Sequence, residues 1–560
     1  MSSEGHNIYT HDFRPPYRKS VHPQKIAAPK RPAPDLKHET IVLDGGKVLL
    51  EKDVAVRMRD GVHLYVDVYR PVPDVAAKTP TIVFFAPFGK HGAVPRELFQ
   101  NMGVDFSKLS KYTHWELPDP LRWCAEFHYS FVSVDPRGCW WSEGEAAHFF
   151  SPEEGRDGYD VVEWIAEQEW CTGAVGWGAV SYFAMSIYQT AVLHPPHLKA
   201  IMPWEGISDI YREVNCPGGI PNVAFQQLWM DMTGNGLNKS EDHAVAAIER
   251  PLYDAWWQSK VADWSLINIP AFSVTGWSSL GLHLRGTIEA WSQFSSKDKY
   301  LLVHAGREWG EYYNEHNIQR QKQFFDRYLK GIKNGVDNWP RVTYDVRSSA
   351  TQSTQRTAKD FPPKAQFTRL MLSPAGLTQQ PVTKADSVPF RAHEPGSVAT
   401  FDHKFTAPTE ITGYSSVRLY IQALNYPDVD LYVALQKLDK DGNEVKFYHS
   451  TQQIEASASF GWLRVSHREL DTSKSRPERP YHTHQKRQWL TPGDIVGVSV
   501  EIWPSSTTWE TGETLRLVVK GSPFTNQQNR TQVKGPNHGW GDVKIWTGGE
   551  YESSLLVPMV

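Results

Sequence analysis

Residues 175–186 read VGWGAVSYFAMS: an apolar run, small residues around one serine, then a stretch with helical spacing. A run of this kind takes the chain off a buried strand, through a tight turn and into a helix, leaving Ser181 at the turn. Outward from there, short apolar segments with β-branched or aromatic content recur at 82–88 (IVFFAPF), 129–138 (YSFVSVDPRG), 199–206 (KAIMPWEG), 271–277 (AFSVTGW) and 300–306 (YLLVHAG). Helix-like stretches such as DGYDVVEWIAEQEW (157–170) lie between several of them. That alternation is the rhythm of a parallel sheet covered by helices, so the fold class is α/β. A serine on a strand-to-helix elbow within such a sheet points further, to an α/β-hydrolase domain.

Between about 215 and 265 the rhythm gives way to helical patterns without strands, VAFQQLWMDM and AVAAIERPLYDAWWQ, as expected for a helical cap inserted into the sheet. FFDRYLKGIKNGV (324–336) reads as the last helix, ended by Gly331 and Gly335. Beyond about residue 340 short alternating runs follow one another with turn residues between them, the pattern of an all-β sandwich. The expected organisation is therefore an extended N-terminal arm over 1–45, proline-rich and basic, followed by the α/β domain over 46–214 and 266–340. The cap occupies 215–265 and an all-β domain 341–560.

Composition narrows the partners. A chain of 560 residues with 22% charged residues and a net charge of −4 gives no electrostatic reason to expect nucleic acid. No run of about eighteen apolar residues is present to span a bilayer, and the N-terminus lacks the apolar core of a secretory signal, so a cytoplasmic location is expected. The sequons at Asn238 and Asn529 then read as chance matches. Four cysteines in so long a chain, without metal-type spacing, read as buried, inert thiols. His482 and His484 (YHTHQ) and His194 and His197 (HPPH) have spacings that suit a metal, but no cysteine or carboxylate set accompanies them, so loop or surface roles are expected. The acidic run SPEEGRD (151–157) reads as a solvated loop. No metal or organic cofactor is expected. The 22 tryptophans suit an aromatic pocket as well as core packing.

Longer motifs carry a family resemblance: MRDGVHLYVDVYRP (58–71), VDPRGCWWSEGE (134–145), EWIAEQEWCTGAVG (163–176), HPPHLKAIMPWEGISDIYRE (194–213), EIWPSSTTWETGETLRLVVKG (501–521) and the terminal WTGGEYESSLLVP. In their order and spread, covering nearly all of the chain after about residue 45, they resemble the cocaine-esterase and X-prolyl dipeptidyl-aminopeptidase family of CocE/NonD hydrolases. The resemblance implies an α/β-hydrolase domain with a helical cap, a C-terminal jelly roll, ester or amide hydrolysis by a Ser-Asp-His triad, and a possible homodimer.

A hydroxyl becomes a nucleophile when a hydrogen-bonded imidazole can take its proton, while a carboxylate holds that imidazole in the right tautomer and donors meet the oxyanion. Ser181 fits the elbow, and the Tyr182 backbone N–H would be one oxyanion donor. The family's G-x-S-Y-x-G is A-V-S-Y-F-A here, with Ala179 in place of glycine. The family's second oxyanion donor, a tyrosine hydroxyl, aligns with Phe88. Its acid aligns with Ser279 and its histidine with Glu308. The bases left open are His304, at the end of its strand, and His283, near the start of the following helix; the acids left open are Glu205 and Glu308. Trp177, Trp204, Trp277 and Trp309 flank these segments and are expected, with Phe88, Tyr182 and Ser279, around a pocket for a small-molecule substrate. Two chemistries stand open: hydrolysis of an ester, lactone or amide in specialised metabolism through Ser181 and a degenerate triad, or a cyclase, lyase or isomerase that uses the pocket with acid-base groups and no acyl-enzyme.

Overall fold

The computed structural model describes residues 17–19, 39–72, 77–85, 87–90, 96–114, 116–145, 149–233, 239–392, 394, 396–449, 454–524 and 541–560. Most of the N-terminal arm lies outside these residues, as do Asn238 and Asn529.

Seven residues in a row, Thr79–Phe85, are buried, as a strand covered on both faces requires. It lies inside one mixed sheet whose order is 39–43, 48–57, 63–71, 130–134, 79–85, 171–180, 198–204, 271–276, 299–304, 342–347 and 353–358. From 130–134 to 342–347 the pairing is parallel, and both edges are antiparallel. After strand 130–134 the chain crosses back over 79–85 to lay down 171–180 on its other side. A crevice outside the strand C-termini at such a reversal is the usual ligand site of an α/β sheet, and Ser181 stands at its edge.

Two boundaries differ from the sequence pattern. The sheet begins at Glu39, inside the span read as arm, and it continues past residue 340 through the hairpin 342–358. Alternating strand patterns look alike whether they pair with an α/β sheet or a β domain, so the change of partner left no mark in the sequence. The cap span holds the helices Val223–Thr233, His243–Glu249 and Ala255–Gln258, together with one short strand, Lys239–Glu241, paired antiparallel with Tyr17–Lys19.

The run SPEEGRD is not a solvated loop. Ser151 caps the helix Pro152–Glu167 by accepting the Glu154 N–H, and proline occupies the first helical position. Glu154 and Asp157 are buried. Gly158 lets this helix approach the sheet, because a Cβ there would meet Thr190 Oγ1 at 2.0 Å and the Trp177 ring at 2.9 Å. The last long helix runs Glu315–Leu329, nine residues earlier than its apolar FFDRYL signal suggests, because Asn314 caps it by accepting the Asn317 N–H.

From residue 366 the chain is all-β around its own aliphatic core, including Leu370, Val417, Leu431, Val500, Leu517 and Ile545. Its longest pairing is Thr409–Ala423 with Ile495–Trp509. This domain grips the α/β domain through polar contacts. Buried Arg347 donates to the Ala458 and Ser506 carbonyls at 2.9 and 3.2 Å. Arg285 pairs with Glu501, and Glu289 accepts from Tyr414 and pairs with Arg479. The last three contacts hold the helix Leu284–Gln293, which begins immediately after His283. Among the described residues no helix is long and apolar enough to cross a membrane.

Candidate active site

The strand Cys171–Val180 ends on Ser181 and the helix Tyr182–Ala191 begins at once. Ser181 adopts φ 58° and ψ −123°, a conformation that costs a non-glycine residue free energy and that nucleophile elbows store. Its N–H donates to the Trp204 carbonyl at 2.9 Å and its carbonyl accepts from Ala184 N–H at 3.0 Å, which fixes the turn. The Tyr182 N–H is the first of its helix, so no carbonyl of that helix can take it. The Tyr182 ring points the other way: its hydroxyl donates to Glu154 at 2.6 Å, with the ring packed against Phe149 and Phe150.

His283, not His304, meets the serine. Its Nε2 lies 3.1 Å from Ser181 Oγ. The strand Ala271–Gly276 ends in a turn in which Ser279 accepts the His283 N–H at 3.2 Å, and the ring is carried on the N-terminal end of the helix Leu284–Gln293. Its Nδ1 is in contact with Glu308 Oε1, lies 3.1 Å from Ser279 Oγ and 3.9 Å from Glu205 Oε2. Glu308 opens the helix Glu308–Tyr313 after the strand Lys299–His304. Serine, histidine and carboxylate are therefore brought together, but histidine stands on the loop where the family has its acid, and the acid stands where the family has its histidine.

His304 and Glu205 form a second pair behind the first. His304 Nε2 approaches Glu205 Oε1 at 3.2 Å, and Thr275 Oγ1 donates to Glu205 Oε2 at 2.8 Å. Glu205 also has a left-handed backbone, φ 53°, so two neighbouring strands end in strained residues. Gly276 makes room for His304, since a Cβ there would meet the imidazole Cε1 at 2.7 Å.

All four ionisable groups are buried. Burial lowers the His283 pKa to about 4, against the opposing pull of Glu205. Burial and then repulsion by Glu205 push Glu308 well above the ordinary carboxylate range, with His304 and Ser279 acting the other way. Burial works against a charged His304, but its contact with Glu205 outweighs this and raises its pKa. The donor atoms of Glu205, His283 and Glu308 lie within 4.8 Å of one another, compact enough for a cation. His283 Nδ1, the nitrogen such an ion would need, is already in contact with Glu308 and Ser279, so the arrangement suits proton sharing. With Nδ1–H donated to the Glu308 carboxylate, Nε2 presents a lone pair to Ser181 and can take its proton.

Other expected residues fall elsewhere. Trp177, Trp204 and Trp277 do not line a pocket: each is 0% exposed, Trp177 and Trp204 on core strands and Trp277 just after one, packed against Arg347 and Phe361. The pleat turns large side chains at strand positions into the layers on either side of the sheet. Trp309 is buried as well and donates from Nε1 to Glu116 at 2.7 Å. Phe88 is half-buried on the segment 87–90 and brings a ring without a hydroxyl. Its neighbour Lys90 is fully buried between Asp53 and Asp135, both at 2.7 Å. The cysteines are all buried, and burial raises the thiol pKa of Cys124, Cys139 and Cys216. His482 and His484, expected in loop or surface roles, are buried, with no helix or regular strand at either position.

Comparison with known proteins agrees with this architecture. The family model for the X-Pro dipeptidyl-peptidase (S15 family) matches residues 60–248, and that for the X-Pro dipeptidyl-peptidase C-terminal non-catalytic domain matches residues 334–556. A CocE/NonD family hydrolase from Staphylococcus aureus superposes with a TM-score of 0.87 at 35% identity, covering 94% of this chain and 99% of its own. The cocaine esterase of Rhodococcus sp. strain MB1 Bresler is 24% identical over 92% of this chain and 99% of its own. An α-amino acid ester hydrolase shares the fold, with a TM-score of 0.70 at 16% identity over 95% of this chain and all of its own.

Proposed function

The chain belongs to the CocE/NonD family of hydrolases, and from that premise we propose that it hydrolyses an ester, lactone or amide of a small molecule through the triad Ser181, His283 and Glu308. The observation that carries the reading is the 3.1 Å approach of His283 Nε2 to Ser181 Oγ on a strained elbow. His283 takes the hydroxyl proton as Oγ attacks the carbonyl carbon, and Glu308 stabilises the imidazolium. The tetrahedral oxyanion is met by the Tyr182 N–H. His283 then returns the proton to the leaving alcohol or amine, and water repeats the cycle to free the acid. Phe88 supplies no hydroxyl to the oxyanion, a loss that removes on the order of a hundredfold in turnover. The substrate class this fits best is an activated ester or lactone, whose carbonyl needs less help than an amide, of the kind that specialised metabolism produces.

The test is intact-mass spectrometry after exposure to a fluorophosphonate, with Ser181→Ala as control. One adduct on the wild type, absent from the variant, is expected. A folded wild-type protein that takes no adduct overturns the reading and turns the search to cyclisation or elimination in the same pocket.

A further inference from the structure

A triad needs one imidazole and one carboxylate, yet this site buries two of each. Glu205 and Glu308 both face His283 Nδ1, one at 3.9 Å and one in contact. Two buried carboxylates so close cannot both be charged unless a cation accompanies them. Which of them holds a proton decides whether the triad works. If Glu308 keeps a proton it donates to Nδ1, the ring's own hydrogen sits on Nε2, and His283 can then only donate to Ser181. If Glu308 is ionised, the hydrogen sits on Nδ1 and Nε2 is free to act as base.

We propose that His304 is a positioning residue for this reaction: as a buried imidazolium on Glu205 it cancels that carboxylate's charge and so lets Glu308 ionise against His283. The inference rests on the Ser181–His283–Glu308 reading. The polar and titratable groups near His304 come from several elements. Glu205 stands at the end of 198–204, Thr275 on 271–276, Ser278 and Ser279 on the turn before His283, Glu308 and Glu311 on 308–313, and Asp345 on 342–347. The carboxylates of Glu205, Glu311 and Asp345 all favour the charged ring. The opposing cation in this neighbourhood, Arg320 on 315–329, is itself drawn to Asp345 and Glu311. His304 Nε2 is 3.2 Å from Glu205 Oε1, and its ring packs against Gly276, where a Cβ would meet Cε1 at 2.7 Å.

The consequence is an interaction between two substitutions. His304→Asn removes the cation that offsets the two carboxylates, so Glu205 and Glu308 compete for one negative charge and Glu308 retains a proton to higher pH. The acid limb of the rate of fluorophosphonate adduct formation, followed between about pH 5 and 9, then moves upward by about one pH unit or more, a tenfold loss of rate at a fixed pH on the limb. Adding Glu205→Gln removes the competing carboxylate and returns the limb to within about half a unit of wild type. A residue that merely fills space does not give a shift that a second substitution cancels. A His304→Asn limb that coincides with wild type, or a double variant as displaced as the single, overturns the proposal. Histidine-15N NMR of the wild type reads the same charge directly, independent of labelling and of whether the variants fold. A His304 ring cationic at pH 7 is expected, and a neutral ring overturns the proposal. Failure of the triad itself is distinct, because Ser181→Ala would then label like wild type or the wild type would not label at any pH.

Discussion

Two buried groups of histidines, one at the ends of the hydrolase strands and one in the β domain beneath the cap, stand in opposite electrostatic surroundings. His283 and His304 face Glu205 and Glu308. His467, His482 and His484 face arginines: Arg464 and Arg487 bear on His467, and Arg212 and Arg285 on His482 and His484. In the second group His467 Nδ1 and His484 Nδ1 are 3.2 Å apart, a distance that permits at most one shared hydrogen. The backbone there does the docking, with Arg212 donating to the His482 carbonyl at 2.7 Å and Tyr253 N–H to the His484 carbonyl at 2.9 Å. Burial alone thus does not make a histidine functional. Burial holds His283 neutral as it does His467, His482 and His484; what differs is that carboxylates stand at His283 to steady its charged form, whereas arginines add to burial in the second group and leave it as packing.

The comparison breaks most sharply under substitution. His283→Ala is expected to lower turnover by about a thousandfold or more with the fold retained, while His484→Ala keeps turnover and lowers the melting temperature; kinetics and thermal melts on the two proteins read this. Equal activity loss in both would erase the distinction. Glu308→Gln is expected next, at about a hundredfold to ten-thousandfold in kcat with little change in KM, since the amide cannot stabilise an imidazolium.

A smaller effect appears in the pH dependence of stability. Burial, with the arginines, lowers His467 and His482 to about 3, below the unfolded value near 6.5. Between those values the unfolded chain binds more protons than the folded one, so stability falls as pH drops, by at most about 1.4 kcal/mol per pH unit for each ring. Buried Glu154 and Glu213, each raised by burial to about 7, slope the other way from about 4.5 to 7 because the folded state holds the extra proton. The readout is therefore the difference between wild type and His482→Asn in melts from about pH 4 to 7, which is expected to narrow as pH falls. The smallest effect belongs to His197, half-buried on a loop and paired with Glu163 at 2.7 Å, where His197→Ala costs about 0.5 kcal/mol or less in denaturant titrations.

The legible part of the site was the part written in local sequence. Ser181 is identified by the strand before it and the helix after it. His283, His304, Glu205 and Glu308 are legible as candidates because each lies at or beyond the C-terminal end of a strand. The tryptophans misled because one residue type serves both pockets and cores, and the Trp177 environment is set by Gly158 on a helix some twenty residues away in the chain. The burial of the YHTHQ histidines has no local sign because it involves Arg212, just before the cap, and Tyr253, within it, both distant in the chain.

By itself the sequence determined the alternation of strands and helices, the all-β end and the elbow serine, since these depend on hydrophobic period and turn chemistry within a few residues. Only the tertiary structure decided which histidine meets the serine and which carboxylate meets the histidine. That choice depends on where the turn after Gly276 releases the chain into its helix and on the contacts of Arg285 and Glu289 that hold this helix against the β domain. A hydrogen bond of 3.1 Å between residues 102 positions apart has no local signature, because it is fixed by the packing of elements that the intervening chain merely connects.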